Sequence, residues 1–117
     1  MNADEKKAYQ EARRRIRKCL FSWYRKEPVA LDLSSMGLTA VPPELGELFV
    51  LRELHLSGNQ LTTAPAELAK LTDLTKLDLS SNRLTALPTV DRLTSLTWLN
   101  LFGNQLAALP VALGNLA

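Results

Sequence analysis

The sequence predicts an α/β solenoid: a right-handed stack of short units, each a strand plus an irregular or 3-10 return turn, sealed at its first end by a helix. Three observations carry that prediction. Leucine is in gross excess, 25 of 117 residues, and 24 of them lie between Leu31 and Leu116. From Pro28 onward the chain repeats itself, with unit starts at Pro28, Leu51, Leu74 and Leu96, hence spacings of 23, 23 and 22 residues. The stretch before Pro28 has another character, polar and cationic with apolar residues at helical spacing. The expected boundaries are 1–27 for the cap and 28–50, 51–73, 74–95 and 96–117 for the four units.

The cap comes first. Ala8, Ala12, Ile16, Cys19, Leu20 and Trp23 recur along one helical face, and the basic residues fall mostly on the others. Asn2 with Glu5 three residues on makes a capping box, and Pro28 enforces a stop. Phe21, Trp23 and Tyr24 are expected to dock on the core at the helix end. The helix covers the edge of the first unit, because the terminal units of a stack cannot leave their apolar side bare.

Each unit then opens on a strand. In Leu54-His55-Leu56 and its equivalents, alternation turns the leucines inward and the intervening residue outward. One such strand is too short to stand alone; stacked in parallel on the next, it satisfies its backbone and closes a continuous core. Asn59, Asn82 and Asn104 fall at the ninth position, where the chain must turn, and should align as a buried ladder. Met36 holds that position in the first unit, which has only the cap upstream of it. Pro42, Pro65, Pro88 and Pro110 mark the fifteenth position and pre-set the return turn, whose leucines (Leu45, Leu48, Leu68, Leu71, Leu113, Leu116) roof the core. The third unit has lost one residue after Pro88, so Val90 and Leu93 belong to a tighter turn.

Units two and three read LRELHLSGNQLTTAPAELAKLTD and LTKLDLSSNRLTALPTVDRLTS, and both follow L-x-x-L-x-L-x-x-N-x-L-x-x-L/A-P-x-x-L-x-x-L apart from that deletion. The pattern resembles the leucine-rich repeat, specifically the intracellular 23-residue type of Ras-group, plant and bacterial Roco-like proteins. The resemblance covers residues 28–117 and rests on four aligned copies. It implies a scaffold or adaptor in intracellular signalling.

Composition limits the rest. With 46% hydrophobic and 22% charged residues, the chain is neither disordered, fibrous nor membrane-spanning. Its single cysteine, Cys19, cannot form an internal disulfide and no secretory signal is readable, so a cytoplasmic, reducing setting is expected. The net charge of +2 conceals a basic head, residues 1–27, on a mildly acidic body. That head could hold the phosphates of nucleic acid or an anionic membrane, but its arginines are not interleaved with aromatics, and a solvated cap face with Glu11 and Arg15 paired is the plainer reading.

The functional surface should be the concave sheet face, whose outward columns can be written down. The third position gives Ala30, Glu53, Lys76 and Trp98; the fifth Asp32, His55, Asp78 and Asn100; the seventh Ser34, Ser57, Ser80 and Phe102. Asp32, His55 and Asp78 form a row that could suggest metal or acid–base chemistry. However, Ser57 and His55 lie roughly 7 Å apart on one strand, and an open sheet offers no oxyanion donors. The row therefore reads as charge-balanced polar surface. No catalytic residue, metal, cofactor or small-molecule substrate is expected, since neither a phosphate-binding glycine loop nor paired cysteines, an H-E-x-x-H or a nucleophile elbow is present. Trp98 and Phe102 stand apart, because the other units carry small or polar residues there. They are the expected protein-binding anchors, rimmed by Glu53, His55, Lys76, Asp78 and Asn100. The sequence stops at Ala117 within the fourth return segment, so the array either continues in a longer polypeptide or meets a second copy through its last repeat.

Overall fold

A computed structural model describes residues 1–23, 30–86 and 92–106. A helix, α1 (Ala3–Trp23), precedes four three-residue strands, β1 (Ala30–Asp32), β2 (Glu53–His55), β3 (Lys76–Asp78) and β4 (Trp98–Asn100). They form one parallel sheet in chain order. Among the described residues two 3-10 turns, η1 (Pro43–Glu47) and η2 (Ala66–Lys70), carry the chain back on the convex side, each entered through a proline with extended backbone, Pro42 and Pro65. The register aligns Leu31, Leu54, Leu77 and Leu99, so the unit period becomes a spatial column.

The core is that column and its roof. Leu33, Leu45, Leu54, Leu56, Leu68, Leu71, Leu74, Leu77, Leu79 and Leu84 are fully buried in one continuous cluster. Leu93 of the third return segment is also buried, whereas Pro88 and Val90 of that turn lie outside the described residues. So do Pro110, Leu113 and Leu116, and the chain's last eleven residues as a whole.

Between strands the backbone bonds follow one rule: the fifth-position carbonyl points toward the preceding unit. His55 O accepts from Leu33 N at 2.8 Å, Asp78 O from Leu56 N at 2.8 Å and Asn100 O from Leu79 N at 2.9 Å. Among the described residues no strand precedes β1, and there Arg15 of α1 donates from Nη1 to Asp32 O at 3.1 Å. A cap arginine thus takes the place of a strand.

α1 buries Ala12, Ile16 and Cys19 against the first unit, with Ala8 and Leu20 partly covered. Its start is capped by Asn2, whose Oδ1 accepts from Glu5 N at 2.8 Å. Arg13 lies 2.7 Å from Glu44 Oε2 and Arg17 3.8 Å from the same oxygen, tying the helix to η1. Phe21 corrects the sequence reading: it is 77% exposed and does not dock on the core. One physical reason is periodicity, since position 21 is on the helix face opposite Ala12 and Ile16. The side chain of Trp23, along with Tyr24 and Pro28, lies outside the described residues.

The asparagine ladder forms, with its bonds running backward along the chain. Asn59 Oδ1 accepts from Met36 N and Leu38 N, both at 3.0 Å, while its Nδ2 donates to Leu33 O and Leu56 O. Asn82 serves Leu61 N, Leu56 O and Leu79 O, and Asn104 serves Leu84 N, Leu79 O and Leu101 O. Each amide thereby staples its own turn to the one before. Asn59 and Asn82 are buried; Asn104, with no described unit stacked beyond it, is only half-buried.

Candidate functional site

The concave face is built by the third, fifth and seventh positions, and the strand register brings their residues together. Glu53 pairs with Lys76 and Lys76 with Trp98 across the third position; Asp32, His55, Asp78 and Asn100 line up across the fifth. Glu53, His55, Lys76, Asp78, Trp98 and Asn100 therefore share one face, and Phe102 follows two residues beyond β4.

Their side chains divide into two kinds. Asp32 and Asp78 fold back on their own strands: Asp32 Oδ1 accepts from Ser34 N at 2.9 Å and Ser34 Oγ at 2.5 Å. Asp78 Oδ1 accepts from Ser80 N at 2.9 Å and Ser80 Oγ at 2.6 Å. The Ser34 hydroxyl and amide, with His55 and Arg15 at longer range, hold the Asp32 carboxyl below its ordinary range. Asn100 repeats the turn, its Oδ1 accepting from Phe102 N at 3.0 Å. His55 breaks the pattern, because imidazole does not form this short turn. Its Nε2 lies 3.4 Å from Glu53 Oε2 on the same strand. The carboxylate–histidine row thus exists in register, yet each member has its own local partner and none is aimed at a shared centre. Among the described residues no group of three metal-ligating side chains could hold an ion.

The second kind is aromatic. Trp98 is 42% exposed and Phe102 81% exposed, both on β4 or just beyond it. Lys76 Nζ sits 4.8 Å from the centroid of the Trp98 ring, a cation–π contact that fixes one flank of the indole. This contact was missed from the sequence, although the spacing of 22 residues between the two positions implies adjacency. β4 also presents Leu101 N–H and Gly103 N–H, equivalents of the amides by which each earlier unit bonds to its successor, without a partner among the described residues.

The basic helix is the other candidate surface, and its charges are largely engaged. Glu11 receives Arg14 through two bonds, at 3.0 and 2.8 Å, and Arg15 at 3.3 Å. Arg13 packs over the Tyr9 ring and pairs with Glu44. Arg13 and Arg15, read from the sequence as outward cations, are thus turned to the first unit. The signal that could have placed them is Glu44, an acid at the start of the return turn that the cap must face. Cys19 is buried in the same contact, and burial pushes its thiol up, away from nucleophilic chemistry. No described helix is long and apolar enough to cross a membrane.

A family model described as leucine rich repeat matches residues 29–84 and again 49–106. A leucine-rich repeat protein of Leptospira interrogans is 40% identical over 66% of this chain, with a TM-score of 0.62. A structure described as a TDR receptor is 33% identical over 74% of the chain, with a TM-score of 0.60. An internalin from Listeria monocytogenes, 24% identical over 68% of the chain with a TM-score of 0.62, shares the fold. The chain spans 20%, 16% and 23% of those three proteins respectively. No curated protein gives a significant match. These matches are to the repeat as a whole and carry no Roco-like or Ras-group subdivision.

Proposed function

Because the chain belongs to the leucine-rich repeat family, whose fold is generally a non-enzymatic module for protein–protein interaction, we propose that it is an adaptor or scaffold that grips a protein partner on its concave face. One observation carries this reading: two large aromatics, Trp98 and Phe102, stand exposed where the other units place small or polar residues. Aromatic side chains bury much area at low rotamer cost and are typical binding anchors. The sheet that holds them is pre-organised by its ladders, so little ordering accompanies binding. Glu53, His55, Lys76, Asp78 and Asn100 form the polar rim. A cytoplasmic signalling role, in the manner of Ras-group and Roco-like repeats, completes the proposal; the single buried thiol fits a reducing setting.

A second copy of the chain is the alternative occupant of the same patch, favoured by the half-exposed Leu99, Leu101 and Leu106 beside it. We assign α1 to capping rather than to nucleic acid or anionic membrane, since Arg13, Arg14, Arg15 and Arg17 all form ion pairs with carboxylates of this chain.

Peptides selected from a random display library on the native chain should lose binding to the Trp98→Ala/Phe102→Ala variant and retain it on a convex-side variant, Thr63→Ala. Selected peptides indifferent to the aromatic pair would refute the concave assignment. Light scattering on the same proteins separates the two occupants. A monomer at all concentrations leaves an external partner, and a dimer dispersed by the double substitution assigns the patch to self-association.

A further inference from the structure

The stack joins its units by one repeated set of bonds, and β4 carries the outgoing half of that set. The sixth- and eighth-position amides donate to the next unit, as Leu56 N does to Asp78 O and Gly58 N to Ser80 O. The second- and eleventh-position carbonyls accept from it, as Thr75 O does from Trp98 N and Leu61 O from Arg83 N. The next unit's asparagine accepts from the eleventh-position amide, as Asn82 does from Leu61 N, and donates to the sixth-position carbonyl, as Asn82 does to Leu56 O. In the fourth unit the equivalent groups are Leu101 N, Gly103 N, Thr97 O, Leu106 O and Leu106 N, none with a partner among the described residues. Leu99, Leu101 and Leu106 stand half-exposed beside them.

We infer that this edge is a strand-addition site for an extended segment of a partner polypeptide, laid parallel to β4, with apolar side chains at i and i+2 and an asparagine at i+5. Such a segment continues the interface that already joins β1 to β2, β2 to β3 and β3 to β4 in one register. Main-chain bonds to the edge supply affinity, and the side chains supply selection. Residues i and i+2 of an extended chain point to the same side, so the apolar pair covers Leu99 and Leu101. The asparagine lies past the strand, in a turn like that over residues 57–59, and its carboxamide serves Leu106 N and Leu101 O as Asn82 serves Leu61 N and Leu56 O. A second copy of this chain is not the occupant. The complement of a β4 edge is a β1 edge, and there α1 covers Leu31 and Leu33 while Arg15 holds Asp32 O. The site is the rim of the sheet rather than its concave face, so it goes beyond the aromatic anchors.

The probe is the second unit's own segment as a synthetic peptide, acetyl-Leu-Arg-Glu-Leu-His-Leu-Ser-Gly-Asn-Gln-Leu-amide, titrated into the isotope-labelled chain. Controls are the reversed sequence and a peptide with alanine in place of the asparagine. Hydrogen exchange at the Leu101 and Gly103 amides, fast in the free chain, should slow about tenfold at saturating peptide. Chemical-shift changes should spread over Thr97–Leu106 and spare Ala30–Leu33 at the capped edge. The alanine peptide should bind about two- to tenfold more weakly, and the reversed peptide should not bind. No binding by the parent peptide, equal binding of either control, or shifts confined to the capped edge overturns the assignment. Slow exchange of both amides in the free chain overturns it as well. Light scattering then names the true occupant: a dimer assigns the edge to a second copy, and a monomer assigns it to other residues of the same chain.

Discussion

The two outer strands of the sheet, β1 and β4, share a backbone pattern and meet opposite surroundings. On the β1 side, α1 covers Leu31 and Leu33, and Arg15 supplies the donor that a preceding strand would have given to Asp32 O. On the β4 side, Leu99 and Leu101 remain half-exposed, Asn104 is less buried than its two equivalents, and the Leu101 and Gly103 amides are unpaired among the described residues. The same repeat unit is therefore structural at one edge and available for contact at the other. Its neighbours decide which, because each unit buries only what the next one covers.

The comparison breaks most visibly at the core leucines. Leu54→Ala, at a fully buried position between two units, should cost about 2–5 kcal/mol in denaturant unfolding. Leu99→Ala removes the same atoms from the register-equivalent site in β4 and should cost clearly less, since that side chain already meets solvent. Equal losses would mean that the β4 edge is as well covered as the interior. The asparagines sharpen the contrast at a lower magnitude. Asn82→Ala orphans the Leu61 amide inside the stack, at about 1–3 kcal/mol, while Leu56 O and Leu79 O keep a donor from Asn59 and Asn104 respectively. Asn104→Ala should lose less, because water can reach the groups it serves.

Most of this architecture was legible in the sequence because it is periodic. A leucine that recurs every 23 residues can only be explained by stacking, and stacking fixes the strand register, the ladder and the composition of the outward columns together. The candidate face was legible for the same reason, Trp98 and Phe102 being departures from a pattern. What escaped was aperiodic. No repeat indicates that Asp32 and Asp78 bend back to Ser34 and Ser80 while His55 turns to Glu53, since side-chain length and turn geometry decide it locally. Nor does helical periodicity tell that Arg13 and Arg15 belong to the docking contact and Phe21 to solvent. Basic stems lie along apolar surface while their heads find acceptors, so polarity alone misplaces them.

The cap contact gives the next prediction. Glu44 in η1 and Glu67 in η2 hold the same position in successive units, and Glu44 alone of the two pairs with cap arginines among the described residues. Its pair with Arg13 is partly shielded, with side chains 29% and 21% exposed. Glu44→Gln should therefore cost about 1 kcal/mol, shrinking in high salt, while Glu67→Gln should be near neutral. Thermal melts at two ionic strengths read both. A cap whose docking is indifferent to Glu44 would be held by Ala12, Ile16 and Cys19 alone.

The smallest effect is a pH dependence that belongs to the β1 side only. Arg14, and behind it Arg15, hold the Glu11 carboxyl down to about 2 from an ordinary 4.5, and Ser34 lowers that of Asp32. A carboxyl depressed in the folded state stabilises above its unfolded value and loses that contribution as pH falls through its folded value. The capped end should thus weaken between about pH 4.5 and pH 2, whereas β4 carries Asn100 in the aspartate position and contributes no such slope there. The Glu11 side chain is only partly shielded from solvent, so its share is small at neutral pH, and the variant to compare is Glu11→Gln/Asp32→Asn. Circular-dichroism melts at pH 7, 4 and 2.5 should show the variant losing less of its midpoint on acidification than the native chain. Parallel losses would remove these two groups from the account of acid sensitivity.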